Sequence, residues 1–294
     1  MSDRALLVGD GLLRRMATDF LAEDIPSFDV GAAVVGTRLS QANILVKSDL
    51  VIAGLPFAEA IFKHLHCTVQ WMIKEGSRVS GSSSNRVAVG IASGPAHALM
   101  QAERTVLEIL SRCSSCATYA ALCVEQVRSA GWKGSVAATR KTTPGIFRAV
   151  EKYGALVGGA DMHRYSLSSM VMLKDNHVDV VGGITIAVRS ARRFCGFSTK
   201  VEVECRSLGD AVEAAEAGAE VVMLDNFQPK EAASAAETLK KTFPHLVIEV
   251  SGGITLENID RFAVAGVDVI SVGKITHGAP SKDISMKIQT KARI

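Results

Sequence analysis

At the usual ~150 residues per domain, a chain of 294 residues holds about two domains, or one large α/β barrel with an appendage, and folding at this size buries roughly three quarters of the unfolded surface. Hydrophobic residues at 48%, charged residues at 21% and only seven prolines exclude the disordered, collagenous and coiled-coil classes. A net charge of +3, with no basic stripe interleaved with aromatics, argues against a nucleic-acid partner, so any charged site must be built by position.

The chain opens with an amphipathic helical pattern around Leu12 to Leu21. Apolar runs over 31–36, 42–48 and 50–57 follow and are expected to form strands. In "FKHLHCTVQW", His64 and His66 alternate as strand residues would, with Cys67 beside them, and are read as surface or intersubunit packing rather than metal ligands. Residues 68–94 read as two strands joined by the serine-rich turn Ser80 to Asn85. Strands preceding helices is an α+β signature. From Pro95 a long helical pattern runs to Gly131 and Gly134, as one bent helix or two. Cys113 and Cys116 form a CxxC on that helix; with no second CxxC or His pair nearby they read as buried small hydrophobes. Trp71 and Trp132 read as packing residues. Six sparse cysteines suit a reducing compartment, and the absence of an apolar run of membrane-spanning length suits a cytoplasmic protein. The closing Ala292-Arg293-Ile294 loosely resembles a small-basic-aliphatic peroxisomal signal.

After residue 134 the pattern becomes strand, polar cluster, helix, repeated. Strands are expected over 135–139, 155–159, 170–175, 200–205, 220–225, 246–253 and 267–273, with amphipathic helices over 206–219 and 228–245. Glu204, Asp225, Ser251 and Gly273 follow one another at intervals of about 21, 26 and 22 residues, each close to one βα unit of a (β/α) barrel. In such a barrel the strand C-termini gather on one face. Here they would deliver Arg140, Lys141 and Thr142; His163 and Arg164; Lys174 to His177; Glu204; Asp225 and Asn226; Ser251, Gly252 and Gly253; and Gly273 with Lys274.

The charge types narrow the ligand. Arg140, Lys141, Arg164 and Lys174, with His163, would surround one mouth of a nearly neutral molecule, a cluster that repels itself unless its partner is a dense anion. Glu204 and Asp225 suit sugar hydroxyls, or a magnesium ion shared with substrate phosphates. Glycines at 252, 253 and 273 allow backbone N–H groups to approach a phosphate closely. The combination implies a small polyanion on one side and a phosphorylated sugar on the other.

The segments "ATRKTTPG" (138–145), "EKYGALVGGADMHRYSLSSMVMLKDNH" (151–177), "KVEVEC" (200–205), "VVMLDNF" (221–227) and "VSGGIT" (250–255) closely resemble the quinolinate phosphoribosyltransferases. The likeness extends to "FLAEDIPSFDVGAAVVG" (20–36), "GLPFAEAIF" (54–62) and "AERT" (102–105), and the opening looks most like the fungal branch. The resemblance implies an N-terminal α/β sandwich domain over 1–115, a catalytic incomplete (β/α) barrel over 116–279 of the type II phosphoribosyltransferases, and a tail, 280–294, that packs back on the first domain. It implies a homodimer, or a hexamer built as a trimer of dimers, and a reaction of quinolinate with phosphoribosyl pyrophosphate that gives nicotinate mononucleotide, pyrophosphate and carbon dioxide in NAD biosynthesis, with Mg2+. Carried over by motif, Arg104 of a neighbouring subunit, Arg140, Lys141, His163 and Arg164 would bind quinolinate. Thr142, Lys174, Glu204, Asp225, Ser251, Gly252, Gly253 and Gly273 would bind the phosphorylated sugar, Lys141, Lys174, Glu204 and Asp225 would serve the chemistry, and Glu204 and Asp225 would also share the metal. His177 would be structural. Two departures from the family pattern, Glu108 and Ser115-Cys116, lie on the helix that carries Arg104 and leave the pyridine substrate open. The alternatives are a paralogous enzyme for another pyridine carboxylate, or a non-catalytic anion-binding protein on the same fold.

Overall fold

The computed structural model describes residues 6–289, so Ala292 to Ile294 lie outside the described residues. Helix α1 (Asp10–Asp24) buries Met16, Ala17 and Leu21. The expected strand at 31–36 is instead helix α2 (Val30–Val35). Its valines favour a strand, but the Asp29 carboxylate accepts from Ala32 N–H at 2.8 Å, and Gly36 in the left-handed region (φ 72°) closes the turn; the caps decide a short apolar run. Strands β1 (Leu39–Val46) and β2 (Leu50–Val51) follow, then helix α3 (Leu55–His64), which ends the expected strand over 50–57 early. Pro56 sits in the first turn of α3, and Glu75 accepts from the N–H groups of Gly54 and Leu55 at 2.7 and 3.0 Å. His64 therefore occupies the last turn of a helix and His66 the left-handed turn after it (φ 54°), not alternate positions of a strand; a basic residue is favoured at that end by the helix dipole.

Burial pushes the Glu75 carboxyl up to about 7 from its ordinary 4.5, against the two backbone donors. Because the folded value is the higher, Glu75 contributes stability below pH 4.5 that is lost as pH rises through 7. Urea midpoints for the protein should fall between pH 5 and pH 8, and Glu75→Gln should flatten that slope.

The chain continues through strands β3 (Thr68–Trp71), β4 (Arg78–Val79) and β5 (Val87–Pro95), with Ser82 and Asn85 closing the serine-rich turn by backbone and side-chain hydrogen bonds. Helix α4 (Ala96–Ser129) is one helix of 34 residues. Beyond it come β6 (Ser135–Ala137), α5 (Phe147–Val157), β7 (Val171–Leu173), α6 (Asp175–Val181), α7 (Ile184–Cys195), β8 (Val201–Cys205), α8 (Leu208–Glu216), β9 (Val221–Asp225), α9 (Pro229–Thr242), β10 (Val247–Ser251), a 3-10 turn (Ile259–Phe262), β11 (Val269–Ser271), the short α10 (Lys274–His277) and β12 (Ile284–Ile288). The strand expected at 155–159 is the end of α5. Gly154 explains the packing: a Cβ there would lie 2.4 Å from the Cys113 carbonyl oxygen, so α5 approaches α4 backbone to backbone.

Two compact units result. The first comprises the chain up to Thr118, Thr143–Gly158 and the segment from Ala279; the second comprises Tyr119–Thr142 and Gly159–Gly278. Compared with a boundary at 115–116, the division runs inside α4 and gives Thr143–Gly158 to the first unit. Glu151 holds that segment: its fully buried carboxylate accepts from Arg112 Nε at 2.8 Å, Thr143 N–H at 2.9 Å and Thr143 Oγ1 at 2.7 Å. The first unit contains an antiparallel sheet in the order β12-β1-β5-β3 and a two-stranded ribbon, β2-β4.

The second unit is a six-stranded parallel sheet in the order β6-β11-β10-β9-β8-β7. Strands β8, β9 and β10 are buried along almost their whole length, as strands covered on both faces must be. Helices α8 and α9 start cleanly at capping boxes, Ser207 with Asp210 and Gln228 with Glu231. Among the described residues β6 does not pair with β7, so the barrel is incomplete. The outer edge of β6 carries a bridge between Ala137 and Asp161, with Ala138 N–H donating to Asp161 O and Asp161 N–H to Val136 O, each at 2.8 Å.

Candidate active site

Parallel strands all end on the same side, and in the second unit those ends open into a cavity of about 700 Å³. Strand β6 leads to Thr139, Arg140, Lys141 and Thr142. The segment bridged to β6 brings His163 and Arg164. Strand β7 delivers Lys174, β8 Glu204, β9 Asp225 and Asn226, β10 Ser251 to Gly253, and β11 Ser271 and Gly273. The register between β9 and β10 sets Asp225 level with Ser251. Cations from β6, the bridged segment and β7 thus share a cavity with two carboxylates.

The charges are arranged in pairs. Lys174 Nζ contacts Glu204 Oε2. Burial, and then the charge of Glu204, raise the Asp225 carboxyl above its ordinary range, while Lys174 pulls it down. Asn226, held in the left-handed region (φ 58°), donates its side-chain amide to Asp225 Oδ2 at 2.6 Å. The Arg164 guanidinium is lowered by burial and by the neighbouring charge of Arg140, and is supported by Glu202, Glu249 and Glu204. Beneath the cavity, burial and the facing charge of Glu249 push the Glu202 carboxyl well up. Both ring nitrogens of His163 are engaged within the protein: Nε2 lies 3.0 Å from Glu249 Oε2, and Nδ1 accepts from Arg164 N–H at 2.7 Å.

On the opposite side the backbone is shaped for close approach. Gly252 is left-handed (φ 94°), and a Cβ there would lie 2.3 Å from Asn226 Oδ1 and 2.8 Å from Asn226 N. At Gly273 a Cβ would lie 2.6 Å from the His277 ring. Ser271 Oγ donates to Ser251 Oγ at 2.9 Å and fixes it at the end of β10. Bare backbone N–H groups, a held serine and the nearby Lys274 and His277 make a surface suited to a phosphate. Gly252→Ala meets both the left-handed backbone and the Asn226 backbone. It should lose at least about 10-fold in affinity for a phosphorylated ligand by titration calorimetry, about 1.4 kcal/mol, and the strain should also lower thermal stability by about 1–3 kcal/mol.

All the site residues expected from the second unit, Arg140, Lys141, Thr142, His163, Arg164, Lys174, Glu204, Asp225, Ser251, Gly252, Gly253 and Gly273, line this one cavity. Arg104 does not. It lies in the first unit on α4, 75% exposed and ion-paired with Asp24 at 3.2 Å, and with Glu108, one turn further on, it lines a separate shallow groove. Ser115 and Cys116 are buried, with Ser115 Oγ donating to Pro280 O, so neither forms a wall of the cavity. The CxxC thiols Cys113 and Cys116 are both buried and free. Sequence reasoning passes over Met172, Met223, Glu249, Ser271 and His277, which also line the cavity. A glutamate inside a strand buried on both faces, as at 202 and 249, is itself a signal, since a buried charge needs a partner. His277, one helical turn past a strand-end glycine, gives no such sign.

Family models match almost the whole chain: the quinolinate phosphoribosyl transferase N-terminal domain over residues 29–114 and the C-terminal domain over 116–287. The human nicotinate-nucleotide pyrophosphorylase [carboxylating] is 50% identical over 287 residues, covering 98% of this chain and 95% of the human protein. The Dictyostelium discoideum protein of the same name is 44% identical over 288 residues, 94% of this chain and 96% of its own length. The solved nicotinate-nucleotide pyrophosphorylase from Francisella tularensis superposes with a TM-score of 0.85 at 30% identity, covering 96% of this chain and 98% of that one.

Proposed function

The chain belongs to the quinolinate phosphoribosyltransferase family, and from that premise we propose how its cavity carries out the family's reaction. The enzyme transfers the phosphoribosyl group of phosphoribosyl pyrophosphate to quinolinate with loss of carbon dioxide, forming nicotinate mononucleotide for NAD biosynthesis. One observation carries the assignment: cations from β6, the bridged segment and β7 face two carboxylates and a glycine-rich phosphate cradle inside one cavity.

Arg140, Lys141 and Arg164 hold the two quinolinate carboxylates, with guanidinium forks matched to carboxylate geometry. Ser251, Gly252, Gly253 and Gly273 hold the 5′-phosphate. Thr142 and Lys174 add contacts to the phosphorylated sugar, and Glu204 and Asp225 accept from its hydroxyls. The ring nitrogen of quinolinate attacks the anomeric carbon as the bond to pyrophosphate breaks and pyrophosphate takes the electron pair. The carboxylate beside the now cationic nitrogen then leaves as carbon dioxide, and the ring carbon takes a proton. Catalysis is positioning plus electrostatic stabilisation, with no covalent bond to the protein.

Glu204 and Asp225 also fit a magnesium ion. Both offer hard oxygen donors, and burial, then the charge of Glu204, raise the Asp225 carboxyl; a divalent cation would offset that repulsion. Bound there, such an ion would supply positive charge where pyrophosphate departs. The exposed Arg104 supports a homodimer, or a hexamer of three such dimers, in which Arg104 reaches a second copy's site. Exposed apolar side chains support the same reading, Phe28, Val30 and Val34 in the first unit and Val180, Phe194 and Phe197 in the second. No helix among the described residues is long and apolar enough to cross a membrane, and six free cysteines suit the cytoplasm.

The test is a panel of pyridine mono- and dicarboxylates with phosphoribosyl pyrophosphate and Mg2+, scored for pyrophosphate and carbon dioxide. Quinolinate alone should release both. Thermal stabilisation by quinolinate without turnover would mark an anion binder, and turnover of a monocarboxylate only would mark a different substrate.

A further inference from the structure

His163 stands among cations, and an imidazolium there would add one more positive group for the substrate. The hydrogen bonds exclude that state. A backbone N–H can only donate, and Arg164 N–H points at His163 Nδ1 from 2.7 Å, so Nδ1 carries a lone pair and no proton. The single ring proton is then on Nε2, which donates to Glu249 at 3.0 Å to Oε2 and 3.3 Å to Oε1. The His163 and Glu249 side chains are only 6% and 3% exposed, so water does not compete for either bond.

The same bond separates this cluster from a metal centre. His163 Nε2 and carboxylate oxygens of Glu202 and Glu249 lie within 4.8 Å of one another, a spacing a divalent ion would accept. A histidine bound to metal through Nε2 keeps its proton on Nδ1 and donates it outward. Here Nδ1 is an acceptor, and a proton on Nε2 takes the place a metal would need.

The remaining contacts show what the ring holds. His163 is left-handed (φ 55°), an uncommon state for a residue other than glycine, and its own N–H donates to Asp161 Oδ1. Asp161 is the residue bridged to β6. The chain Asp161, His163, Arg164 is thus tied at one end to the sheet edge and at the other, through the imidazole, to Glu249 of β10. We propose that His163 is a neutral positioning residue, fixed as the Nε2–H tautomer by Glu249 and the Arg164 backbone, and that it acts on quinolinate through the aim of the Arg164 side chain. The proposal rests on the reading that quinolinate binds at Arg164.

Ring-nitrogen NMR of protein labelled with 15N-histidine tests the tautomer directly. Of the seven histidines, His163 is assigned by the signal missing from His163→Asn. A protonated Nε2 and an unprotonated Nδ1, both in the free protein and with saturating quinolinate, are expected; a protonated Nδ1 in either state overturns the proposal. Because the free protein is measured without substrate, a failure of quinolinate turnover would defeat the functional reading and leave the tautomer result standing. Kinetics supply a second measurement. In Glu249→Gln the side-chain amide oxygen can still accept the Nε2–H, so that variant should stay within a few-fold of the parent. Glu249→Ala should raise the KM for quinolinate by about 100-fold and leave that for phosphoribosyl pyrophosphate unchanged. Equal losses in the two variants, or equal rises in both KM values, would overturn the proposal, and the NMR result decides alone if the alanine variant does not fold.

Discussion

Arg140→Ala should lower kcat/KM for quinolinate by on the order of 100-fold, about 3 kcal/mol, while leaving the fold intact. Arg140 is exposed past the end of β6 in the free protein, so its removal opens no cavity in the core. On the proposed binding mode, what would be lost is a forked partner for a carboxylate that the cavity desolvates. Arg140→Lys keeps the charge but not the two parallel donors, and should recover only part of the loss. Removing the charge of Arg140 also relieves its pressure on the Arg164 guanidinium. Steady-state kinetics with quinolinate varied, beside a thermal melt, would check both claims; normal turnover by the alanine variant would remove Arg140 from the binding set.

Glu151→Ala should be the most damaging single change to stability, at about 3–5 kcal/mol. The Glu151 carboxylate is fully buried and takes three hydrogen bonds, so truncation removes a buried carboxylate from the partly buried Arg112 and frees Thr143. Glu151→Gln keeps one acceptor oxygen and should fall between the two. Urea unfolding followed by circular dichroism measures the difference, and a midpoint unchanged in Glu151→Ala would show that Thr143–Gly158 is held by apolar packing alone.

Much of the catalytic unit is legible in the sequence because its strands carry two signals at once. Strands β8 to β11 are apolar runs that end in Glu204, Asp225, Ser251 or a glycine, and the spacing of those ends gives the βα period without any structural input. The failures share a cause. Residues 31–36 and 155–159 are short apolar runs, and composition does not separate a helix from a strand at that length. Asp29 and Gly36 decide the first case, and the contact of Gly154 on Cys113 decides the second. Glu249 is marked in the sequence as a glutamate inside an apolar strand, but what it pairs with is not, because His163 is 86 residues away in the chain. Arg104 shows another limit: a sequence motif can suggest a ligand, while a single chain places the side chain on its own surface, paired with Asp24.

The unclosed barrel has a consequence for association. A sheet that does not close retains two edges, and an exposed edge strand is a template for pairing with another molecule. Both edges here belong to short strands, β6 and β7, each three residues long. The Asp161 bridge already occupies the outer side of β6, so the segment that presents His163 and Arg164 also caps one edge. The remaining edge, Val171–Leu173, spans only about 10 Å, too little to seat a foreign strand in a stable register. The gap that leaves the barrel open is thereby protected against polymerisation along its edge.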